Sequence, residues 1–357
     1  MKCINKNMKT DKTYRKKYDN RKRRGRQRRR AVVCSIFGLL AAFALGILAY
    51  LLCSPGTSYV TLFETEKYRY DLHKEEMFAQ NLCVPVSDVE TQENSSETTP
   101  AGLDTEYFTA AALFDLENSH TIYERGILDT LYPASTTKLM TAYLTLKYGN
   151  LDDVVTVSET ATTFEPDAQL CGLAPGDTLT LYELLCGLIL YSGNDNAAVI
   201  AEHISGSVEQ FAELMNAEAH RLGATHSHFM NPHGLHEENH YTTAYDLYLI
   251  FNACLKDSRF MDIISMKAYD ATITDAAGNI SYMYWPATNW YSSDIVTAPE
   301  GIHVFGGKTG TTDEAGNCVI LYSQDTAGKP YISVTMGAES KDNLYDTMNI
   351  LLKLPFQ

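Results

Sequence analysis

Twenty-three consecutive residues, Ala31 to Cys53, carry no charged side chain. With a rise of about 1.5 Å per residue, a helix of that length crosses a hydrocarbon core of about 30 Å, so a wholly soluble cytoplasmic protein is not expected. The run also divides the chain electrostatically. Residues 1–30 hold 15 Lys+Arg and 2 Asp, and the rest hold 14 basic and 42 acidic residues, so the overall −15 averages a segment of +13 and one of −28. The basic stretch Arg21 to Arg30 abuts the apolar run. Lys and Arg beside a spanning helix stay on the cytoplasmic side, so everything after residue 53 is expected to be exported. A cleaved leader has an apolar core of only about 7 to 15 residues and small residues at its cleavage site. This run is longer and ends Leu51-Leu52-Cys53, which favours an uncleaved signal anchor. The arginines resemble RNA-gripping peptides, but nothing else in the chain supports nucleic-acid binding, and a topology and headgroup role accounts for them.

Composition places four segments in order: a basic cytoplasmic tail (1–30), a transmembrane anchor (31–53), a juxtamembrane and linker region (54–105) and a folded domain (106–357). The linker ends in the polar, acidic stretch 84–105, whose composition suits a flexible tether. The eight cysteines contain no CxxC pair, which gives no sign of a zinc ribbon. Cys186, Cys254 and Cys318 lie in apolar patterns as small hydrophobes, and Cys83 and Cys171 are the two that an oxidising exterior leaves open to pairing.

Within the folded domain, Tyr107 to Phe114 reads as a strand, Glu117 to His120 as a turn and Thr121 to Glu124 as the returning strand. Leu139, Ala142, Tyr143 and Leu146 recur at helical spacing after Pro133, which puts Ser135 at a helix N-terminus. Thr180 with Glu183, Ser207 with Gln210 and Thr243 with Asp246 are N-cap signatures, so helices fill roughly 180–256. Strand-like runs follow at His303 to Phe305, Cys318 to Tyr322 and Ile332 to Met336, then a helix near Leu344 to Leu352. Strands at both ends with helices between them predict an α+β domain: an antiparallel sheet flanked by helices with an inserted helical subdomain, preceded by one transmembrane helix.

Three short motifs stand out: Ser135-x-x-Lys138, Ser192-Gly193-Asn194 and Lys308-Thr309-Gly310. A chain of this length holds on the order of one SxxK by chance, and each of the other two in roughly one such chain in ten. Their local settings make them mutually intelligible. Residues i and i+3 share a helix face, so the Lys138 amine can reach the Ser135 hydroxyl, and a lysine that is desolvated or beside a second cation becomes a neutral base. Lys308 is a candidate for that cation. Ser192 falls in a tight loop between apolar helices, and the glycines around Lys308 let a substrate backbone lie along a strand edge.

This set resembles the serine-type D-alanyl-D-alanine carboxypeptidases, the low-molecular-mass penicillin-binding proteins, from about Tyr107 to Phe356. The likeness extends through residues 133–142, 184–207, 228–247 and 306–320. It implies a penicillin-binding-protein/β-lactamase-like fold and a hydrolase of peptidoglycan stem peptides, with β-lactams as covalent inhibitors and no cofactor or metal. It further implies that Ser135 is the nucleophile, Lys138 its base, Ser192 the proton relay, and that Asn194 and Lys308 complete the catalytic set. Thr309, Gly310 and Thr311 are expected to bind substrate, and the N–H groups of Ser135 and Thr311 to form the oxyanion hole. One departure stands in the sequence: many members carry a carboxylate-binding arginine where this chain has Leu344. The resemblance also stops short of the β-rich C-terminal domain of many members, so membrane attachment is expected to rest with residues 31–53.

Three rival readings remain. His236-Glu237-Glu238-Asn239-His240 spells HExxH, yet a zinc site needs both histidines on one helix face, and Pro232, Gly234 and the cap at Thr243 favour a loop. A β-lactamase shares fold and nucleophile, but Glu165 precedes Ser192 and so stands in the wrong order for a deacylating base. A catalytically idle wall-binding protein draws support from Leu344 and is opposed by the complete catalytic set. The net charge of the exported part argues against bulk attraction to an anionic wall, so recognition is expected to rest on local cations, chiefly Lys138 and Lys308.

Overall fold

The computed structural model describes residues 82–83 and 100–356. The expected anchor, residues 31–53, lies outside them, as do the basic tail and most of the linker; among the described residues no helix is long and apolar enough to cross a membrane.

The domain opens with the hairpin β1 (Ala110–Asp115) and β2 (His120–Arg125), then a 3₁₀ turn, Ala134–Thr137, that runs straight into α1 (Lys138–Tyr148). Two three-residue strands follow, β3 (Val154–Thr156) and β4 (Thr178–Thr180). The helical block comprises α2 (Leu181–Cys186), a π-helical turn (Gly187–Tyr191), α3 (Asn194–Ser205), α4 (Val208–Leu222), α5 (Ala244–Cys254) and α6 (Ser258–Ile264). The chain closes through β5 (Ala268–Thr274), β6 (Ile280–Pro286), β7 (Ile302–Thr312), β8 (Gly316–Asp325), β9 (Pro330–Ala338) and α7 (Lys341–Leu351). All pairings are antiparallel. The main sheet has the order β2-β1-β9-β8-β7, so the first strands pair with the last across the helical insertion, as the pattern of the sequence predicts. A second sheet, β3-β4-β5-β6, was not foreseen, because two of its strands are too short to show alternation.

Side-chain alternation explains how one sheet serves two cores. Along β1, Ala110, Ala112 and Phe114 join the helical core with Leu139, Met140, Tyr248 and Phe251, whereas Ala111 faces a second cluster with Val319, Leu321, Leu344, Met348 and Leu351. The sheet is therefore sandwiched between the helical block and α7. Each capping signal works as predicted: Thr180 and Glu183 form a reciprocal capping box, and the side chains of Ser207 and Thr243 accept from the N–H groups of Gln210 and Asp246. The last helix starts at Lys341, a turn earlier than its apolar periodicity, because Ser340 caps it.

Leu82 packs against the helical core, and Cys83 lies fully within it, its N–H donating to the Tyr248 hydroxyl (2.9 Å) and its carbonyl accepting from Tyr245 (2.9 Å). Cys171 is buried at the other motif cluster described below, and both thiols are free, so the pairing left open by the sequence is not made.

Candidate active site

Pro133 and the 3₁₀ turn set Ser135 at the mouth of a cleft, with Ala134 forced to φ 47°. Gly234 explains the tightness of this corner: a Cβ there would lie 1.8 Å from the Ala134 carbonyl oxygen. One helical step on, Lys138 is completely buried, and its Nζ sits 3.0 Å from Ser135 Oγ, 2.7 Å from Asn194 Oδ1 and 2.7 Å from the His233 carbonyl oxygen. Burial, reinforced by the charge of Lys308, pushes this amine well below the ordinary lysine range. The three partners then define its chemistry. Two are carbonyl oxygens and can only accept, so they take both N–H groups of a neutral amine and leave its lone pair facing the Ser135 hydroxyl. That is the arrangement of a general base poised on its nucleophile.

Ser192 follows the π-helical turn in a left-handed conformation (φ 70°, ψ 32°), a position glycine usually fills. The turn is locked by Gly193 N–H to the Gly187 carbonyl (3.2 Å) and by Asn194 N–H to the Gln169 carbonyl (2.8 Å). Beneath it the buried Asp195 carboxylate accepts from the N–H groups of Cys171 (2.9 Å), Gly172 (2.9 Å) and Leu173 (3.1 Å), fixing the segment that carries Gln169 to the start of α3. Sequence reading missed Asp195; its place one residue after the Ser192–Asn194 motif, at the first turn of a helix, was the available signal.

Lys308 lies within β7, which runs on through the lysine motif past a register shift between Val304 and Gly306 instead of ending at Phe305. Its amine donates to Ser192 Oγ (2.8 Å) and to the Thr309 carbonyl (2.7 Å), and burial pushes it down to about 7. The glycines are required by approach. A Cβ at Gly306 would stand 1.9 Å from the Ile264 carbonyl oxygen, and one at Gly310 would stand 2.8 Å from the Ser135 backbone nitrogen, so β7 passes directly against the turn that carries Ser135.

These elements enclose a cavity of about 160 Å³ lined by Ser135, Ser192, Thr309, Gly310 and Thr311 from the predicted set, so the structure gathers all three motifs at one place. Lys138, Asn194 and Lys308 stand behind the wall, joined to it by the bonds to Ser135 and Ser192. Gln169, Thr288, Trp290, Cys318, Lys341, Leu344 and Tyr345 complete the lining; of these only Leu344 stood out in the sequence, as a departure from the family pattern.

The HExxH segment is a loop, as its glycine and proline predict. His236 is exposed, whereas His240 is buried and bonded to Thr137 Oγ1 (2.8 Å) through Nε2. Met230 N–H donates to its Nδ1 (3.2 Å), so the proton is on Nε2, and burial pushes the ring down to about 3. The ring thus supports the turn after Ser135. Glu165 is exposed and outside the cavity wall.

The model of a family described as D-alanyl-D-alanine carboxypeptidase, peptidase S11, matches residues 97–340. The chain belongs to this family. Among its curated relatives, D-alanyl-D-alanine carboxypeptidase DacF of Bacillus subtilis is 32% identical over 237 residues, covering 65% of this chain and 57% of that protein. DacC of Escherichia coli is 30% identical over 254 residues, covering 69% and 60%. The chain thus spans less than two thirds of the length of these relatives. Among solved structures, the Streptomyces DD-transpeptidase superposes with a TM-score of 0.63 at 28% identity, covering 69% of this chain and 97% of that one. A D-alanyl-D-alanine carboxypeptidase of Mycobacterium tuberculosis gives 0.63 at 26%, covering 73% and 96%. The family's α+β, penicillin-binding-protein-like fold is therefore the fold of this domain.

Proposed function

We propose that this chain is a serine D-alanyl-D-alanine carboxypeptidase that removes the terminal D-alanine from peptidoglycan stem peptides. The observation that carries the reading is the Lys138 amine, buried, with two donors committed to carbonyls and its third position on Ser135 Oγ. Ser135 Oγ attacks the carbonyl carbon of the scissile amide and its proton passes to Lys138. The tetrahedral oxyanion rests on the N–H groups of Ser135 and Thr311. As it collapses, the C–N bond breaks and the departing amine takes a proton through the Ser192 hydroxyl, which Lys308 holds (2.8 Å). Asn194 orients Lys138 and the substrate amide, and Thr309, Gly310 and Thr311 supply the strand edge and hydroxyls against which the peptide lies. Water then adds to the acyl-enzyme ester, giving the shortened peptide and freeing Ser135. A β-lactam forms the same ester by opening its ring, whose nitrogen stays attached.

Incubation with a labelled penicillin and peptide mapping tests the mechanism. A single adduct on Ser135, absent from Ser135→Ala, together with release of free D-alanine from a pentapeptide, is the expected result. Label elsewhere, or D-alanine release unaffected by Ser135→Ala, overturns it.

The same reading places residues 31–53 as a single-pass anchor in a bacterial cell membrane, with residues 1–30 in the cytoplasm and the domain outside. The supports are the uncharged run and the +13 segment before it. Protease added to intact spheroplasts is expected to digest the domain and spare the basic tail; the reverse pattern refutes the topology.

A further inference from the structure

The loop between α4 and α5, which holds the HExxH segment, meets the turn of Ser135 at four points. The His233 carbonyl accepts from Lys138 Nζ (2.7 Å), the Pro232 carbonyl accepts from Thr141 Oγ1 (2.6 Å), and His240 Nε2 bonds Thr137 Oγ1 (2.8 Å). Gly234, pressed against the Ala134 carbonyl, is the fourth. Three of the four come from the run Pro232 to Gly234, so the direction of that short backbone decides what α1 meets.

Asn231 sets the direction. It is 6% exposed; its Oδ1 accepts from the N–H groups of Gly234 (2.7 Å) and His233 (3.3 Å), and its Nδ2 donates to the Leu235 carbonyl (3.0 Å). A short amide side chain that takes up N–H groups two and three residues on closes a turn over itself. A trans peptide is planar, with its N–H and C=O pointing opposite ways. The peptide joining His233 to Gly234 therefore has its N–H on Asn231 and its carbonyl on Lys138, and the one joining Pro232 to His233 has its N–H on Asn231 and its carbonyl on Thr141. One side chain clamps two peptide planes whose far sides hold α1. The base of the loop is fixed separately, since the Asn216 amide of α4 bonds both the N–H (2.7 Å) and the carbonyl (2.9 Å) of Phe229.

We propose that Asn231 is a positioning residue: by clamping both peptides it aims the His233 carbonyl at Lys138 and so fixes which side of the amine faces Ser135. The inference deepens the mechanism proposed above and rests on Lys138 being its base.

Two variants of the full chain test it. Asn231→Ala removes the clamp, whereas Asn231→Asp keeps both acceptor bonds and loses only the donation to Leu235. The first readout is penicillin acylation, resolved by stopped flow into binding and the chemical step, well above the midpoint of each protein's pH profile. Asn231→Ala is expected to slow the chemical step about thirtyfold, the scale of a small misplacement of a reacting group, with binding within about threefold of native. Asn231→Asp is expected within about fivefold of native in both. The second readout needs no acylation: the titration of Lys138, followed by its 13Cε resonance and assigned by its loss in Lys138→Met. Lys138 is faced by Lys308 of β7, Asp195 of α3, the Cys171 thiol and the rings of His233 and His240. Burial holds both rings near 3, so neither changes charge above pH 5. An ammonium loses more than an amine when a carbonyl acceptor turns away, so the midpoint falls in Asn231→Ala; the added carboxylate raises it in Asn231→Asp. A native chemical step or an unmoved midpoint in Asn231→Ala overturns the proposal. If that variant does not fold, a thirtyfold slower step in Asn231→Asp overturns it instead. If the native chain is not acylated while the midpoint still follows residue 231, the carboxypeptidase reading fails and the clamp on Lys138 stands.

Discussion

Lys308→Met separates what the site does from what it costs. Lys308 is 1% exposed, and burial alone pushes its amine from the ordinary 10.5 down to about 7. Between those values the unfolded chain holds a proton that the folded protein has released, so stability rises with pH across that window. Below about pH 7 both states are protonated and the burial penalty is fully in force. The difference between 10.5 and about 7 corresponds to about 5 kcal/mol over the whole window, and to about 3 kcal/mol between pH 6 and 9.5. Methionine of similar length cannot ionise, so its variant lacks this rise. It also loses the bonds to Ser192 Oγ (2.8 Å) and the Thr309 carbonyl (2.7 Å), each of which costs roughly 1–3 kcal/mol. That offset is independent of pH and cancels when slopes are compared. Lys308 also depresses Lys138, so its removal lets Lys138 titrate higher and adds to the difference. The assay is urea unfolding of both proteins at pH 6, 7, 8, 9 and 9.5. The native protein is expected to gain about 3 kcal/mol more than the variant across the series. Parallel curves would falsify the claim that Lys308 is held near neutrality by burial. In the same preparations, labelling of Ser135 by penicillin is expected to collapse in the variant at every pH.

Two further substitutions probe the scaffold beneath the motifs. Asp195→Ala removes the acceptor for the N–H groups of Cys171, Gly172 and Leu173, and at about 1 kcal/mol or more for each buried donor it should lower unfolding free energy by roughly 3 kcal/mol. Penicillin acylation should slow as Gln169 and Asn194 lose register, and an unchanged denaturation midpoint refutes the bracing role. Gly234→Ala sets a Cβ at φ 86° and 1.8 Å from the Ala134 carbonyl, so a lower thermal midpoint and slower acylation are expected; native behaviour in both measurements would show that the corner is loose.

What the sequence revealed, and what it hid, follows from locality. Ser135 and Lys138 are three residues apart on one helix, and the caps at Thr180, Ser207 and Thr243 are local hydrogen-bond patterns, so both could be read directly. The glycines at 306, 307 and 310 interrupt the apolar signal of β7 and make the strand look short. They are there because the carbonyls of Ile264 and Ile320 and the nitrogen of Ser135 press against that backbone, contacts no linear pattern displays. The wall made by Thr288, Trp290, Lys341 and Tyr345 was hidden for the same reason, since it exists only once the segment between β6 and β7 has bonded to Thr309 on one side and to Tyr345 of α7 on the other. Trp290 stacks on Tyr345 with ring centroids 4.8 Å apart, a pairing across 55 residues.

The strand order has a consequence for how the molecule is made. Ala110 pairs with Met336, so the first strand acquires its inner neighbour only after nearly all of the domain has been synthesised. Until then the hairpin of β1 and β2 has an unpaired edge of wholly buried-type residues, AAALFD, and contacts this distant in sequence are slow to form. The nascent chain can gather its helices while the cleft still lacks its floor. Folding and the appearance of the site are one late event, and a chain arrested before β9 presents a sticky strand rather than a partly formed site.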